Sequence, residues 1–205
     1  MKSIKKIIEK EINKNQGKPF SVRGLSKYGS DTAVRKALQR LSESGQIEQV
    51  ARGVYYMPKI NKYIGKTVPS IEQIVSAVAE STAETVSVTG AHAALELGLT
   101  TQVPLKPIFY TSGTTRKIKA GSNEVLLKHV CPRKLKYSHQ LIGKVILALG
   151  YIGSKHATIQ HIAAIQEKLP HNEFNRLVKN SHLMPVWMQM LFTQYVNSHN
   201  VLTYG

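Results

Sequence analysis

The feature that most constrains this chain is a change of hydrophobic period at Gly45. Before this glycine, apolar residues recur every three or four positions, at Val34, Ala37, Leu38 and Leu41. This spacing predicts a helix over residues 32–44 that buries one face. After the glycine, the β-prone runs 47–50 and 54–57 are separated by Ala51-Arg52-Gly53, which predicts a hairpin with an arginine at its tip.

Two shorter helical segments precede this helix. Residues 3–14 place apolar side chains on one face, at Ile4, Ile7, Ile8 and Ile12. Gly17 and Pro19 end that segment, and a second short helix follows, ending at Gly29. Three helices followed by a hairpin are the element order of a winged helix-turn-helix, which we predict over residues 1–60.

The remainder of the chain is predicted to be a mixed α+β domain over residues 68–205. The polar and basic stretch 58–69 is interpreted as a linker or a short strand. A helix over 69–81 opens the domain, and strand-like runs follow, at 86–88, 107–112, 116–119 and 124–130. From Tyr137 onward the pattern is helical. The predicted fold class is therefore α+β, with a helical C-terminal end.

Charge points to a polyanionic partner. The chain has 28 basic and 12 acidic side chains, and residues 1–66 alone hold 15 basic and 5 acidic ones. Such a surface attracts nucleic acid, because neutralised phosphates release counterions. Solubility charge and an anionic membrane surface are the alternatives. No apolar run reaches the roughly 18 residues of a membrane span, and no signal peptide is evident. We expect a cytoplasmic protein without a membrane partner.

The predicted helix over 32–44 can read double-stranded DNA if its polar face is free. Arginine suits the acceptors of guanine and glutamine suits adenine, while the start of a helix can meet a phosphate. The hairpin tip can reach the DNA backbone or a minor groove. The predicted DNA-binding residues are Ser30, Thr32, Arg35, Lys36, Gln39, Arg40, Arg52, Gly53 and Tyr55. A three-helix protein-interaction module with a solvated charged face is the alternative.

Residues 20–59, FSVRGLSKYGSDTAVRKALQRLSESGQIEQVARGVYYMPK, resemble the N-terminal domain of the AbiEi family of antitoxins. The stretches TGAHAALELGL and PIFYTSGTTRKIKAGSNEVLLKHVCPRKL look like the family's C-terminal region, so the resemblance covers roughly residues 1–135. On this chain the family's recognition-helix role falls on Thr32, Arg35, Lys36, Gln39 and Arg40. The role of its wing falls on Arg52 and Gly53.

The resemblance implies an antitoxin that binds inverted repeats in its own promoter and represses it. It also implies a partner toxin similar to nucleotidyltransferases, which the antitoxin counteracts without the two proteins having to touch. A homodimer would place two recognition helices on half-sites about one helical turn apart. A module that neutralises the toxin by direct binding is the alternative function.

Several other motifs invite an enzyme or metal hypothesis. The segment Tyr110–Lys117 resembles the phosphate-binding loop of acyl-adenylating enzymes, but it lacks the second glycine, and a hairpin turn is favoured. A second basic patch follows, at Arg116, Lys117 and Lys119, and it can bind an anion. A nucleotide-binding enzyme that uses this loop is a third hypothesis, but we predict no enzyme.

No metal site or cofactor is expected. The eight histidines include no pair spaced i, i+4 around a glutamate, as a helical zinc site requires. The single cysteine, Cys131, is predicted to be a buried structural thiol.

Overall fold

The computed structural model describes residues 4–63 and 65–199. Its helices and strands, in chain order, are α1 (Ile4–Lys14), β1 (Pro19–Ser21), α2 (Asp31–Glu43), β2 (Glu48–Ala51), β3 (Val54–Tyr56), β4 (Lys59–Asn61), β5 (Gly65–Thr67), α3 (Ile71–Thr82), β6 (Val86–Val88), α4 (Gly90–Glu96), β7 (Ile108–Thr111), β8 (Arg116–Ala120), β9 (Asn123–His129), α5 (Pro132–Leu135), α6 (Leu141–Ile152), α7 (Ile159–Lys168), α8 (His171–Lys179) and α9 (Val186–His199). Short 3-10 helices occupy Arg23–Tyr28 and Ser181–Leu183. The chain is thus mixed α+β with a helical C-terminal end, as predicted.

The chain forms two compact units. Unit 1 consists of the chain up to Val86 together with Thr111–His129, and unit 2 consists of Ser87–Tyr110 and the chain from Val130 onward. This division does not follow the predicted segments 1–60 and 68–205. The reason is that α3 packs on β1 and β3, while the β8–β9 hairpin packs on β2, so both belong to unit 1.

The core of unit 1 confirms the predicted buried face of α2. Val34, Leu38 and Leu41 are at most 1 % exposed, and they pack in one cluster with apolar residues of α1 and the first 3-10 helix, at Ile8, Ile12 and Leu25. Each such side chain contributes roughly 1.5–3 kcal/mol on burial. The apolar stripe therefore fixes which side of α2 faces solvent.

A three-stranded antiparallel sheet of order β1-β3-β2 completes this part of unit 1. Strand β1 was not predicted, because it is three residues long and begins with proline. Proline lacks an N–H group and is tolerated as the first residue of an edge strand. Gly53 lies in the turn between β2 and β3 with φ at +73°, a conformation that glycine adopts without strain.

One local prediction for unit 1 is confirmed and one is wrong. The second short helix is present as a 3-10 helix that ends before Gly29, and the Ser21 hydroxyl accepts the Gly24 amide at 3.1 Å. The stretch 58–69 is neither a linker nor a single strand but contains the β4–β5 hairpin. Across that hairpin the Thr67 hydroxyl donates to the Lys59 carbonyl oxygen at 2.8 Å.

Unit 2 is built on helices. Its buried cluster joins α4 to α6, α7, α8 and α9, and Phe174 packs against Phe192 and Tyr195 with ring centroids 6.3 and 6.2 Å away. Met188, Phe192 and Tyr195 of α9 supply part of this core. Cys131, by contrast, is exposed, so the prediction of a buried thiol is wrong. Cys131 directly precedes Pro132 at the start of the four-residue helix α5, outside the packed helices.

No helix in the described part of the chain is both long enough and apolar enough to cross a bilayer.

Two glycines of α6 give a matched test of packing. A side chain at Gly143 would lie 2.0 Å from the Tyr137 carbonyl oxygen, whereas one at Gly150 would meet nothing within 4 Å. We expect Gly150→Ala to raise the free energy of unfolding by about 0.5–1 kcal/mol, because alanine favours a helix. Gly143→Ala should lower it by about 1–3 kcal/mol through overpacking. Urea denaturation of both variants measures the difference, and equal effects would contradict this packing.

Candidate nucleic-acid interface

The exposed side of α2 carries the residues that the sequence singled out. Thr32, Lys36 and Gln39 are spaced three and four residues apart, so they form one stripe opposite the buried one. Arg35 and Arg40 flank this stripe and are also exposed. Ser30 caps the helix, since its hydroxyl accepts the Ala33 amide at 3.4 Å. The structure thus brings the predicted residues of the helix together on one open surface.

Two of these side chains have partners within the helix. Arg35 Nε donates to Asp31 at 2.7 Å, and Gln39 Nε2 donates to Glu43 at 2.9 Å. The hydrogen bond to Asp31 also raises the pKa of Arg35. Both contacts lie at the surface, where such pairs are worth roughly 0–1 kcal/mol and exchange readily. Among residues 4–63 and 65–199, the side chains of Lys36 and Arg40 have no partner.

The β2–β3 turn carries Arg52 and Gly53. Arg52 is exposed and unpaired among the described residues. Tyr55 is half-buried, and its ring stacks on Phe20, with centroids 6.4 Å apart. Because Phe20 of β1 and Tyr55 of β3 are paired across the sheet, the Tyr55 ring packs within this sheet.

The second predicted basic patch lies in the same unit. The Gly121 amide donates to the Val50 carbonyl oxygen at 2.9 Å, which ties the tip of the β8–β9 hairpin to β2. Lys119 is exposed and has no partner among the described residues. Lys117 pairs with Glu124 across the hairpin at 2.8 Å, with both side chains about two-thirds exposed.

Arg116 is held by a half-buried ion pair. Its Nη2 donates to Glu84 at 2.9 Å, and the Thr111 hydroxyl donates to the same carboxylate oxygen at 2.7 Å. Burial opposes ionisation of Glu84, but the hydrogen bonds from Arg116 and Thr111 outweigh it and leave the pKa of the carboxyl below its ordinary value. A side chain at Gly113 would lie 2.2 Å from the Glu84 carboxyl carbon, so this close approach requires glycine.

These elements line a single cleft of unit 1, which we name the basic cleft, with a volume of about 930 Å³. It is bordered by the start of α2, the 3-10 helix, the β2–β3 turn, the end of α3 and strand β8. Its basic lining residues are Arg23, Arg35, Arg52, Arg116, Lys117 and Lys119. Among the described residues that line the cleft, Asp31 is the only acidic one. The two patches that the sequence treated separately thus meet in one electropositive groove.

Sequence reasoning missed Arg23 and the meeting of the two patches. Arg23 begins the short 3-10 helix, which was read only for its buried side. Nothing in the local pattern of Lys117 or Lys119 indicates that they line the same cleft as Arg52, because the β8–β9 hairpin and the β2–β3 turn are far apart in the sequence. The excess of basic over acidic residues indicates a surface that binds a polyanion, but it does not show where on the fold that surface lies.

The loop from Ser112 to Thr115 does not resemble a nucleotide-binding loop in its contacts. The Ser112 hydroxyl accepts the Thr85 amide at 2.9 Å, and the Thr115 hydroxyl accepts the His129 amide at 2.9 Å. This loop is not the predicted hairpin turn, because β8 pairs with β9 rather than with β7, and the β8–β9 turn lies at Gly121 and Ser122. Within the described residues, no group of three His, Cys, Asp or Glu side chains could hold a metal ion.

A family model matches residues 5–177, which is most of the chain; it describes a family of unknown function, DUF6088. The chain belongs to the DUF6088 family. Among solved structures, it is similar to the crystal structure of the RV2827C protein from Mycobacterium tuberculosis, with 11 % identity and a TM-score of 0.42. That match covers 97 % of this chain and 78 % of the other. No curated protein matches this DUF6088 member.

The Glu84–Arg116 pair makes a prediction about pH. A carboxyl whose pKa is lowered in the folded state stabilises the fold above its ordinary pKa, near 4.5. That stabilisation is lost as pH falls through the lower, folded value. We therefore expect Glu84→Gln to reduce the free energy of unfolding at pH 7 and to converge with wild type at acidic pH.

Urea titrations between about pH 7 and 3 measure this convergence. Glu80→Gln, an exposed position on α3, is the control and should follow wild type throughout. A constant difference between Glu84→Gln and wild type at every pH would contradict the assignment of Glu84.

Proposed function

We propose that this DUF6088 protein binds double-stranded DNA through a winged helix-turn-helix in unit 1 and acts as a transcriptional regulator. The observation that carries the proposal is the exposed cationic side of α2 beside Arg52 of the β2–β3 turn. In this assignment α1, the 3-10 helix and α2 form the three-helix part, α2 is the recognition helix and the β2–β3 hairpin is the wing.

The major groove, about 12 Å wide, admits one α-helix. Thr32, Lys36 and Gln39 would face the base edges, with Arg35 and Arg40 on the two sides. Gln39 and Arg35 would exchange their helix partners for DNA, which costs little because both contacts are exposed. Arg40 is unpaired and needs no such exchange, so it is the first candidate for reading guanine. Ser30 and Arg52 would contact the phosphate backbone of the DNA and so orient the protein on the duplex.

We also propose that the regulated promoter is the protein's own and that the protein is an antitoxin. The resemblance of residues 20–59 to AbiEi antitoxins supports this part of the proposal. A homodimer on inverted repeats would set two α2 helices about one helical turn apart and exclude RNA polymerase. The partner gene would then encode a toxin similar to nucleotidyltransferases.

Arg40→Ala tests the regulator proposal. If Arg40 contacts guanine with both terminal nitrogens, its loss should weaken the binding free energy for the upstream duplex by about 1–3 kcal/mol. It should also relax the preference for guanine at one base position. A gel-shift series with the protein's own upstream region and a scrambled duplex of equal composition measures both effects.

Lys168→Ala, an exposed lysine at the end of α7 in unit 2, is the control that removes one charge elsewhere. It should retain the preference of wild type for the upstream duplex. The regulator proposal is wrong if wild type binds both duplexes equally, or if Arg40→Ala and Lys168→Ala behave alike.

A second candidate is neutralisation of a toxin by direct binding. Val186 and Met190 lie one turn apart on α9 and are 71 % and 66 % exposed, an apolar pair that a protein partner could cover. We expect the product of the adjacent gene to co-purify with wild type and not with Met190→Glu. Lack of any complex with wild type removes this candidate.

A further inference from the structure

We propose that the β8–β9 hairpin is a second wing, which grips the phosphate backbone of duplex DNA from the basic cleft. This inference rests on the proposed function and adds to it a contact that no helix-turn-helix residue supplies. The hairpin lies outside the first 86 residues of the chain, yet its residues line the same groove as Arg35 and Arg52.

The hairpin is held at its tip by β2 and at its base by Glu84, which follows α3. At its tip, the Gly121 amide is hydrogen-bonded to Val50 of β2 at 2.9 Å. At its base, Arg116 is held by Glu84, which is itself held by Thr111. A lysine on such a strand is presented at a defined place beside the wing, which reduces the ordering that binding would require.

The cations of the basic cleft divide into two classes. Arg35, Arg116 and Lys117 have carboxylate partners. Arg23, Arg52 and Lys119 have none among the described residues. The unpaired three come from three different elements that line the groove, the 3-10 helix, the β2–β3 turn and β8. They are the side chains free to take phosphate oxygens.

The chemistry of this set indicates the backbone rather than bases. Guanidinium and ammonium groups bind phosphate oxygens strongly, and contacts to phosphate set register without reading sequence. Flat glutamine or asparagine side chains, which read adenine, are absent from the described lining of the cleft. We therefore assign base reading to α2 and contacts with the phosphate backbone of the DNA to Arg23, Arg52 and Lys119.

The test compares two lysines of the same hairpin. Lys119 on β8 lines the basic cleft, whereas Lys128 on β9 does not, and both are exposed. Fluorescence anisotropy with the full chain would follow Lys119→Ala and Lys128→Ala on two duplexes of about 30 base pairs, the upstream sequence and its scrambled version. Each titration would be repeated between about 50 and 200 mM salt.

We expect Lys119→Ala to reduce the affinity for both duplexes by the same factor. It should also reduce the slope of log affinity against log salt concentration by about one. Lys128→Ala should keep the slope of wild type. Equal slopes for Lys119→Ala and wild type would overturn the inference, as would a wild-type protein that binds neither duplex. Tighter binding of wild type to an RNA of about 30 nucleotides than to either duplex would also overturn it, by making RNA the partner.

The two proposals fail in different ways. If wild type prefers the upstream duplex but Lys119→Ala and Lys128→Ala are alike, the regulator stands and the second wing is lost. If wild type shows no preference but Lys119→Ala alone lowers the salt slope, the second wing stands and the sequence-specific regulator is lost.

Discussion

Burial of the apolar stripe of α2 is the constraint on which the rest of unit 1 depends. Val34, Leu38 and Leu41 cannot leave the cluster formed with α1 and the 3-10 helix without exposing almost completely buried side chains. Because an α-helix has fixed angular spacing, this burial also sets the outward direction of Lys36 and Gln39. Stability of the core and availability of the polar face are therefore one property of the same sequence.

The electrostatics of unit 1 separate structural cations from available ones. Arg116 is drawn into a half-buried pair by Glu84, and its removal would leave that carboxylate without its counter-charge. Arg52 and Lys119 are exposed and make no comparable contact within the part of the chain that the structure describes. A net excess of positive charge is thus compatible with a folded core, because the buried part of the charge is paired and the unpaired part is solvated.

The sequence predicted the helices and strands better than it predicted which of them pack against each other. The periodicity of residues 32–44 placed α2 to within a residue at each end, and the β-prone runs on either side of Ala51-Arg52-Gly53 located β2 and β3. The prediction failed at β1, which begins with proline, and in the β4–β5 hairpin, whose strands are mostly polar and exposed and therefore carry no apolar pattern. The prediction of a buried thiol at Cys131 failed for another reason. Burial of a side chain depends on which other residues pack around it and not on residue type alone.

The candidate surface was predicted only in part. The residues of α2 and the β2–β3 turn follow from local spacing, because one helix face and one turn define them. The position of Lys119 in the same cleft as Arg23 and Arg52 does not follow from spacing, because it depends on how the β8–β9 hairpin packs on β2. Local sequence does not encode such a meeting in a form that periodicity can detect.

The hydrogen bond from Gly121 to Val50 joins residues about 70 positions apart, and part of unit 2 lies in the chain between them. Contacts between distant positions are slow to form, since the intervening chain must first be closed into a loop. During synthesis, the helical part of unit 1 leaves the ribosome well before β8 and β9 do. The groove therefore acquires its last side late, and a nascent chain carries α2 before it carries Lys119.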